Sequence, residues 1–308
     1  MSFNKEQVRQ FIYGHYRQEV TNVMPIGAGE WSQAFSFRLE GIEYVIRFGA
    51  HKEDFEKDQR ATSFTSESLV VPKVKEIGQA FDHYFAVSER AYGEMLDELS
   101  AARMRNIVPA ALQMLDALRE IDTSSTEGYG QWNASGKAPF ETWKDYLLSV
   151  ELDDPMRRTH GWCTSLAQSP VGDTAFKQAF ERLKQLAAQC SVERNIIHSD
   201  LLNRNVLVDN GKISAVIDWG NAMYGDFLYD LAWFSYWSYA YLAMEGINWE
   251  AEARKHFAAL GLVVPNMEER LLCCKIHIGL DAQAYNAFTK RWDELELNAK
   301  KTLELCGA

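Results

Sequence analysis

Asp200, Asn205 and Asp218 are the residues whose types and spacing bear most directly on chemistry. They lie in the stretch Ile196 to Trp219, IIHSDLLNRNVLVDNGKISAVIDW. Val206 to Val208 and Ile213 to Ile217 are short apolar, β-branched runs, separated by Asp209-Asn210-Gly211-Lys212. Asn-Gly between two such runs is a strong hairpin signal. A hairpin turning there brings Asn205, which enters the first strand, and Asp218, which leaves the second, to the same end. Asp200 stands on the loop just before it. Two carboxylates and an amide oxygen carried by a rigid ribbon suit a hard divalent cation, which prefers oxygen ligands.

The order His198-x-Asp200-x-x-x-x-Asn205, then Ile217-Asp218, is that of the kinase catalytic loop and metal-binding strand end. In that template the first Asp takes the proton of the acceptor hydroxyl. The Asn and the later Asp hold Mg²⁺ against the nucleotide phosphates. Singly, a turn-starting Asp, a capping Asn and a strand-ending Asp are commonplace. Their combination across one hairpin favours phosphoryl transfer, with Asp200 as base, Asn205 and Asp218 as Mg²⁺ ligands, and ATP as co-substrate (GTP left open). His198 is expected to fix the loop by hydrogen bonding. Arg204 would either touch the γ-phosphate or reach solvent.

His198-Ser-Asp200 with Asn205, then Asp218-Trp-Gly220 and Gly225-Asp226-x-x-x-Asp230-Leu-Ala232, resembles the aminoglycoside phosphotransferase family. Gly29-Glu30-x-Ser32-x-Ala34-Phe35-Ser36-Phe37, Asp209-Asn210-Gly211 and Ile278-Gly279-Leu280-Asp281 are similar to its hygromycin-type branch. The resemblance implies an α+β, bilobal protein-kinase-like fold. A small antiparallel β-sheet N-lobe, residues 1–91, would bind nucleotide. A larger, mostly helical C-lobe, residues 92–308, would carry the catalytic loop and substrate site. It also implies that the backbone of Ser88, Glu89 and Arg90 faces adenine, and that Asp226 and Asp230 brace the catalytic loop. Departures are Leu202, where many relatives have histidine, and a match that thins after Tyr285.

The elements that must position these residues begin with an amphipathic helix behind Asn4, followed by strands. Met24 to Gly29 leads to Ala34 to Leu39, and Gly41 turns the chain into Tyr44 to Phe48. Gly27, Gly29 and Ser32 lie in the intervening turn, where backbone N–H groups and a hydroxyl suit phosphates. Arg47 occupies the place of the kinase strand lysine and can grip phosphate with its fork. Its partner is one of Asp54, Glu56 and Asp58 on the charged run His51 to Arg60; similarity to the branch favours Asp58. Val70 to Val74 and Tyr84 to Ser88 read as further strands around a turn at Gln79 to His83, and Gly93 reads as a hinge.

Helices follow. One is marked by Ile107 to Asp122, with Pro109 expected in its first turn. Ser124 to Pro139 reads as a long loop, Asp173 as a helix cap, and Asn266 as the cap of a last long apolar helix, Leu271 to Phe288. Among the aromatics of Tyr229 to Tyr241, mostly core by type, Tyr236 and Trp237 are the candidates for a face against a sugar ring. Asp281, which interrupts the apolar positions of the last helix, is the candidate acid for a cationic acceptor.

At 308 residues, with 47% apolar and 24% charged residues, the chain has ample material for a core. No apolar run reaches the length of about 18 that a membrane helix needs. The net charge of −11 and the absence of a basic stripe argue against nucleic acid as a partner. A negative field favours a cationic small-molecule substrate. Five cysteines without zinc-ligand spacing, and a polar start, point to the cytoplasm. The expected activity is ATP-dependent O-phosphorylation of an aminoglycoside or aminocyclitol. A small-metabolite kinase of the same fold is the alternative. A nucleotide-binding pseudokinase is disfavoured because base and metal ligands are all present.

Overall fold

The computed structural model describes residues 3–29, 31–190 and 192–307. In chain order the elements are α1 (Lys5–Tyr16), β1 (Val20–Ala28), β2 (Ser32–Leu39), β3 (Ile42–Gly49), α2 (Lys52–Ala61), β4 (Val74–Ala80), β5 (His83–Glu89) and β6 (Glu94–Met95). Then come α3 (Ala101–Arg119), β7 (Gly130–Gln131), α4 (Trp143–Leu148), α5 (Trp162–Gln168), α6 (Thr174–Ala187) and β8 (Asn195–Ile197). The chain ends with β9 (Val206–Asp209), β10 (Lys212–Val216), β11 (Met223–Gly225), α7 (Leu228–Trp237), α8 (Trp249–Ala259), α9 (Met267–Thr289) and α10 (Trp292–Leu305). The fold class is α+β, with an antiparallel sheet in the N-terminal region and helices after it.

Two compact units result. The first holds residues up to Leu99, with 133–135 and 202–222. Its five-stranded antiparallel sheet has the order β1-β2-β3-β5-β4. Alternation along β3 explains its two faces. Ile46 and Phe48 pack with Phe35, Phe37 and Phe85 against Val8 and Ile12 of α1. Arg47 therefore points to the other face, where Phe55 of α2 packs on Val74 and Ala86. An Asn4/Gln7 capping box starts α1. A second sheet, β10-β9-β6, contains the expected hairpin, with Asn210 and Gly211 both at positive φ (48° and 75°). That is the combination a type I′ turn requires.

The β6–β9 pairing explains why 202–222 belongs with the N-terminal residues rather than following a cut at residue 91. Gly93, at φ 148°, lies so close to this hairpin that a Cβ would stand 2.8 Å from the Val208 carbonyl oxygen. The strand expected at Val70 to Val74 is instead β4, beginning at Val74; Pro72 has no N–H to give a ladder.

The second unit comprises Ser100–Trp132, Gly136–Leu201 and the chain from Met223 on. Its centre is α9, buried around most of its circumference by Leu271, Cys274, Ile276, Ile278 and Leu280 among others. A helix apolar all round belongs inside a helical core. The three-stranded sheet β7-β11-β8 lies in the same unit. Pro109 is internal to α3, which starts eight residues earlier at Ala101. Ser124 to Pro139 is not a structureless loop, since β7 pairs with β11 there. Asn266 precedes α9 without a side-chain cap hydrogen bond, and α10 extends the chain beyond the helix expected to be last. Asp173 likewise makes no side-chain cap bond to α6; it pairs with Lys177 at 2.7 Å. Gly225 of β11 lies against the ring of Trp143, where a Cβ would overlap the indole. Gly225→Ala should therefore lose about 1–3 kcal/mol of stability in a denaturant titration. An unchanged midpoint would show that the contact yields freely.

Candidate active site

Arg47 forms a charge-assisted hydrogen bond with Asp58 of α2, which is 5% exposed. Of the three candidate acids on this run, Asp58 is the one that meets it. Its other oxygen accepts the Trp219 N–H at 2.8 Å, so one buried carboxylate joins the strand arginine to the loop after β10. In the β1–β2 turn the Gly29 N–H bonds the Ser32 carbonyl at 2.8 Å. A Cβ on Gly27 would meet nothing within 4 Å, and one on Gly29 only Ser32 at 3.9 Å. The glycines are thus not required by the protein's own packing and leave room on the turn. Glu30 lies outside the described residues. Ser88 pairs with Val45 and Val74. The N–H groups of Glu89 and Arg90 are taken by Lys73 O (3.1 Å) and Glu43 O (3.3 Å). The N–H groups of these two residues are thus used within the protein.

At the far end of the hairpin the Ile217 N–H bonds the Asn205 carbonyl at 2.9 Å, so Asn205 and the chain entering Asp218 are neighbours. Asn205 is buried and Asp218 exposed. Asp218 has φ 64° and ψ 68°, a left-handed conformation costly for a residue with a side chain. The turn Trp219–Asn221 after it is held by α2: Lys57 Nζ donates to Gly220 O (2.6 Å) and Ala222 O (3.1 Å). The position a Gly220 Cβ would take lies 3.5 Å from Asp218 Oδ1 and 3.4 Å from Asp54 Oδ1. Among the described residues no three His, Cys, Asp or Glu side chains form a cage. An amide oxygen and a carboxylate are ligands of the kind Mg²⁺ takes, since that ion keeps waters and completes its shell with phosphate oxygens.

The chain passes from the second unit into the first between Leu201 and Leu202. On the second-unit side, Asp230 accepts the N–H groups of His198 and Ser199, both at 2.8 Å. Fully buried His198 receives the Asp200 N–H on Nδ1 at 3.3 Å, so its own proton sits on Nε2. Asp200 itself is half-buried. Ser199, Asn203 and Arg204 all have positive φ. The Arg204 N–H is held by Asp97 at 3.1 Å and its guanidinium pairs with Glu98 at the surface. Asp226 does not touch this loop. It accepts a two-pronged bond from Arg270 of α9 (2.8 and 2.6 Å) and the Leu228 N–H, fastening the start of α7 to α9.

The expected acceptor residues separate. Tyr236 is buried, with its hydroxyl donating to Asn298 at 3.1 Å, and serves α7–α10 packing. Trp237 is half-buried among Trp233, Tyr236 and Tyr239, with no hydrogen bond on its indole N–H. Asp281 keeps solvent-accessible surface yet is crowded by protein: burial pushes its carboxyl up and Arg157 draws it down. Tyr146 and Tyr229 are raised by burial and further by the Asp281 charge. His277 is pushed down to about 3 by burial, aided by Arg157, and pairs with the Tyr229 hydroxyl at 2.9 Å. Lys57, Asp97, Arg157 and Arg270 were not singled out from sequence. Only Lys57 had a signal, its place beside Asp58 on a run that reads as a solvated face.

A five-stranded antiparallel sheet, an arginine–helix acid pair, and a hairpin that joins Asn205 to the entry of Asp218 behind the His198–Asp200 loop are the framework of a kinase-like phosphotransferase. The chain belongs to the phosphotransferase enzyme family (APH), whose profile matches residues 22–260. The hygromycin-B 4-O-kinase of Escherichia coli is 32% identical over 276 residues, covering 89% of this chain and 77% of that protein. The crystal structure of aminoglycoside phosphotransferase APH(4)-Ia is 27% identical, with a TM-score of 0.85 over 98% of each chain. Its thermostable mutant in ternary complex with AMP-PNP and hygromycin B gives 0.83 over 97% of each. The GDP complex of aminoglycoside 2′-phosphotransferase-IIIa, at 15% identity and TM-score 0.67, shares the fold. No described helix is long and apolar enough to cross a membrane.

Asp230 yields a pH signature. Burial pushes its carboxyl up to about 7, against the pull of its two N–H donors. Between about pH 4 and pH 7 the folded protein then holds a proton that the unfolded chain has released, so this contribution to stability falls as pH rises. Asp230→Asn lacks the titration. Its stability deficit against the parent should be largest near pH 4 and shrink toward pH 7 in denaturant titrations. A deficit constant with pH would show that Asp230 stays ionised.

Proposed function

We propose that this phosphotransferase moves the γ-phosphate of ATP to a hydroxyl of an aminoglycoside or aminocyclitol of the hygromycin B kind. The observation that carries the reading is the backbone pairing of Ile217 with Asn205, which brings the two expected cation ligands to one hairpin end, in a chain 32% identical to a hygromycin-B 4-O-kinase. The first unit, hairpin included, would take the nucleotide, and the helices of the second would take the acceptor.

The roles follow from the residues. Arg47, oriented by Asp58, and the Gly27, Gly29 and Ser32 turn would steady the phosphates. Ser88, Glu89 and Arg90 would border the base with carbonyls. Asn205 and Asp218 would hold Mg²⁺, which when bound neutralises charge on the phosphate oxygens. Asp200 would orient the acceptor hydroxyl and take its proton. His198 and Asp230 would keep that loop in register through the hydrogen bonds described. Positioning and electrostatics then supply most of the acceleration. Asp281 and Trp237 would offer a cationic sugar a carboxylate and an aromatic face, helped by the chain's net charge of −11.

Nucleotide consumption with Mg·ATP should be measured over hygromycin B, other aminoglycosides, choline and simple sugars. Turnover confined to hygromycin B or a related aminocyclitol is expected; turnover only with choline or a sugar would overturn the acceptor class. Asp200→Ala should keep Mg·ATP affinity and lose at least about 10²-fold in turnover, the usual worth of a general base. Equal turnover by mutant and parent would remove Asp200 as the base. Asp281→Asn should raise the acceptor KM and spare that of ATP; an unchanged acceptor KM would place Asp281 outside the site.

A further inference from the structure

We infer that Lys57 is a positioning residue for the cation site: its buried ammonium clamps the turn after Asp218 and so sets how that carboxylate is presented. The inference rests on the reading of Asp218 as a cation ligand.

Lys57 is 3% exposed. Removing an ammonium from water costs several kcal/mol unless polar partners replace the solvent. Here two partners are main-chain carbonyls of one short turn, Gly220 O at 2.6 Å and Ala222 O at 3.1 Å. The neighbouring residue, Asp58, takes the Trp219 N–H of the same turn at 2.8 Å. Successive helix residues diverge by about 100° around the axis, so the two charges approach the turn from different sides. Lys57 collects carbonyls while Asp58 collects an N–H and Arg47. A stretch of five residues, Asp218 to Ala222, is thus fastened to α2 by three charge-assisted hydrogen bonds.

Packing alone does not call for this lysine, because a methionine would fill similar space without the desolvation cost. What the ammonium adds is direction. Asp218 is held at φ 64°, a conformation that persists only where its surroundings over-determine it. The anchors lie on the residues immediately following. Trp219 contributes by burying its ring and donating its indole N–H to Val216 O at 3.2 Å, but that fixes the strand side of the turn. Lys57 fixes the far side. Since Asp58 also orients Arg47, α2 makes the phosphate-gripping arginine and the cation-binding carboxylate parts of one body.

The test is Mn²⁺ binding to the full chain in the presence of AMP-PNP and without acceptor, followed by electron paramagnetic resonance. Lys57→Met should weaken Mn²⁺ at least about tenfold, the scale typical when a ligand loses its outer support. Metal-free AMP-PNP affinity and the acceptor KM should change little, because Arg47 keeps Asp58. Lys57→Gln, which keeps one donor but is too short to span both carbonyls, should fall between; it decides the matter if the methionine variant does not fold. Parent-like Mn²⁺ affinity in a folded variant with only a lowered Tm would make Lys57 a folding contact and overturn the inference. A parent that binds no Mn²⁺ with AMP-PNP would instead overturn the cation-site reading itself.

Discussion

The carboxylate of Asp58 accepts from two donors at once, the Arg47 guanidinium on β3 and the Trp219 N–H after β10. It is almost wholly buried, so neither donor can be lost cheaply: a buried charge left unpartnered costs several kcal/mol. That requirement ties a strand of the five-stranded sheet to the hairpin through one helix. It also explains why α2 cannot be a merely solvated charged segment despite its composition. Phe55 anchors the helix to the sheet by burial, and the polar residues on the adjoining face read out the loop.

The same device recurs along the catalytic stretch. Ser199, Arg204 and Asp218 each take a left-handed conformation. In each case an acid holds a backbone N–H at or next to the strained residue: Asp230 for Ser199, Asp97 for Arg204, Asp58 for the residue after Asp218. A fixed side-chain acceptor at each of these N–H groups is what strained backbone needs to persist. Burial raises Asp97 as it raises Asp230, so these acids are structural acceptors, not surface charges. Part of the acidic surplus therefore maintains loop geometry, and the remainder supplies the negative field that suits a cation.

The helical unit follows a different rule. There α9 is the core, and polar groups within it are satisfied in small sets: His277 with Tyr229, Gln283 with Thr302, Tyr236 with Asn298. Asp226 and Arg270 make the one two-pronged ion pair binding α7's start to α9 among the described residues. Asp281 departs from this pattern, since it is crowded by protein yet reaches solvent.

The sequence by itself determined what depends on short-range chemistry. Asn210-Gly211 between β-branched runs specifies the turn, and the turn specifies that Asn205 and the entry to Asp218 meet, whatever surrounds them. Arg47's face on β3 follows from the same local periodicity. Only the tertiary structure decided which acid meets Arg47, because Asp54, Glu56 and Asp58 are alike in composition and differ only in where packing of Phe55 turns the helix. It likewise decided that Lys57 is buried, that Asp226 serves Arg270 instead of the catalytic loop, and that Tyr236 is consumed by α10. The start of α3, well before Pro109, was hidden for a related reason: a proline is read locally as a boundary, but a long helix supported by core burial tolerates it. Partners dozens to more than a hundred residues apart leave no periodic trace, and burial reverses what a charged side chain signals when read alone.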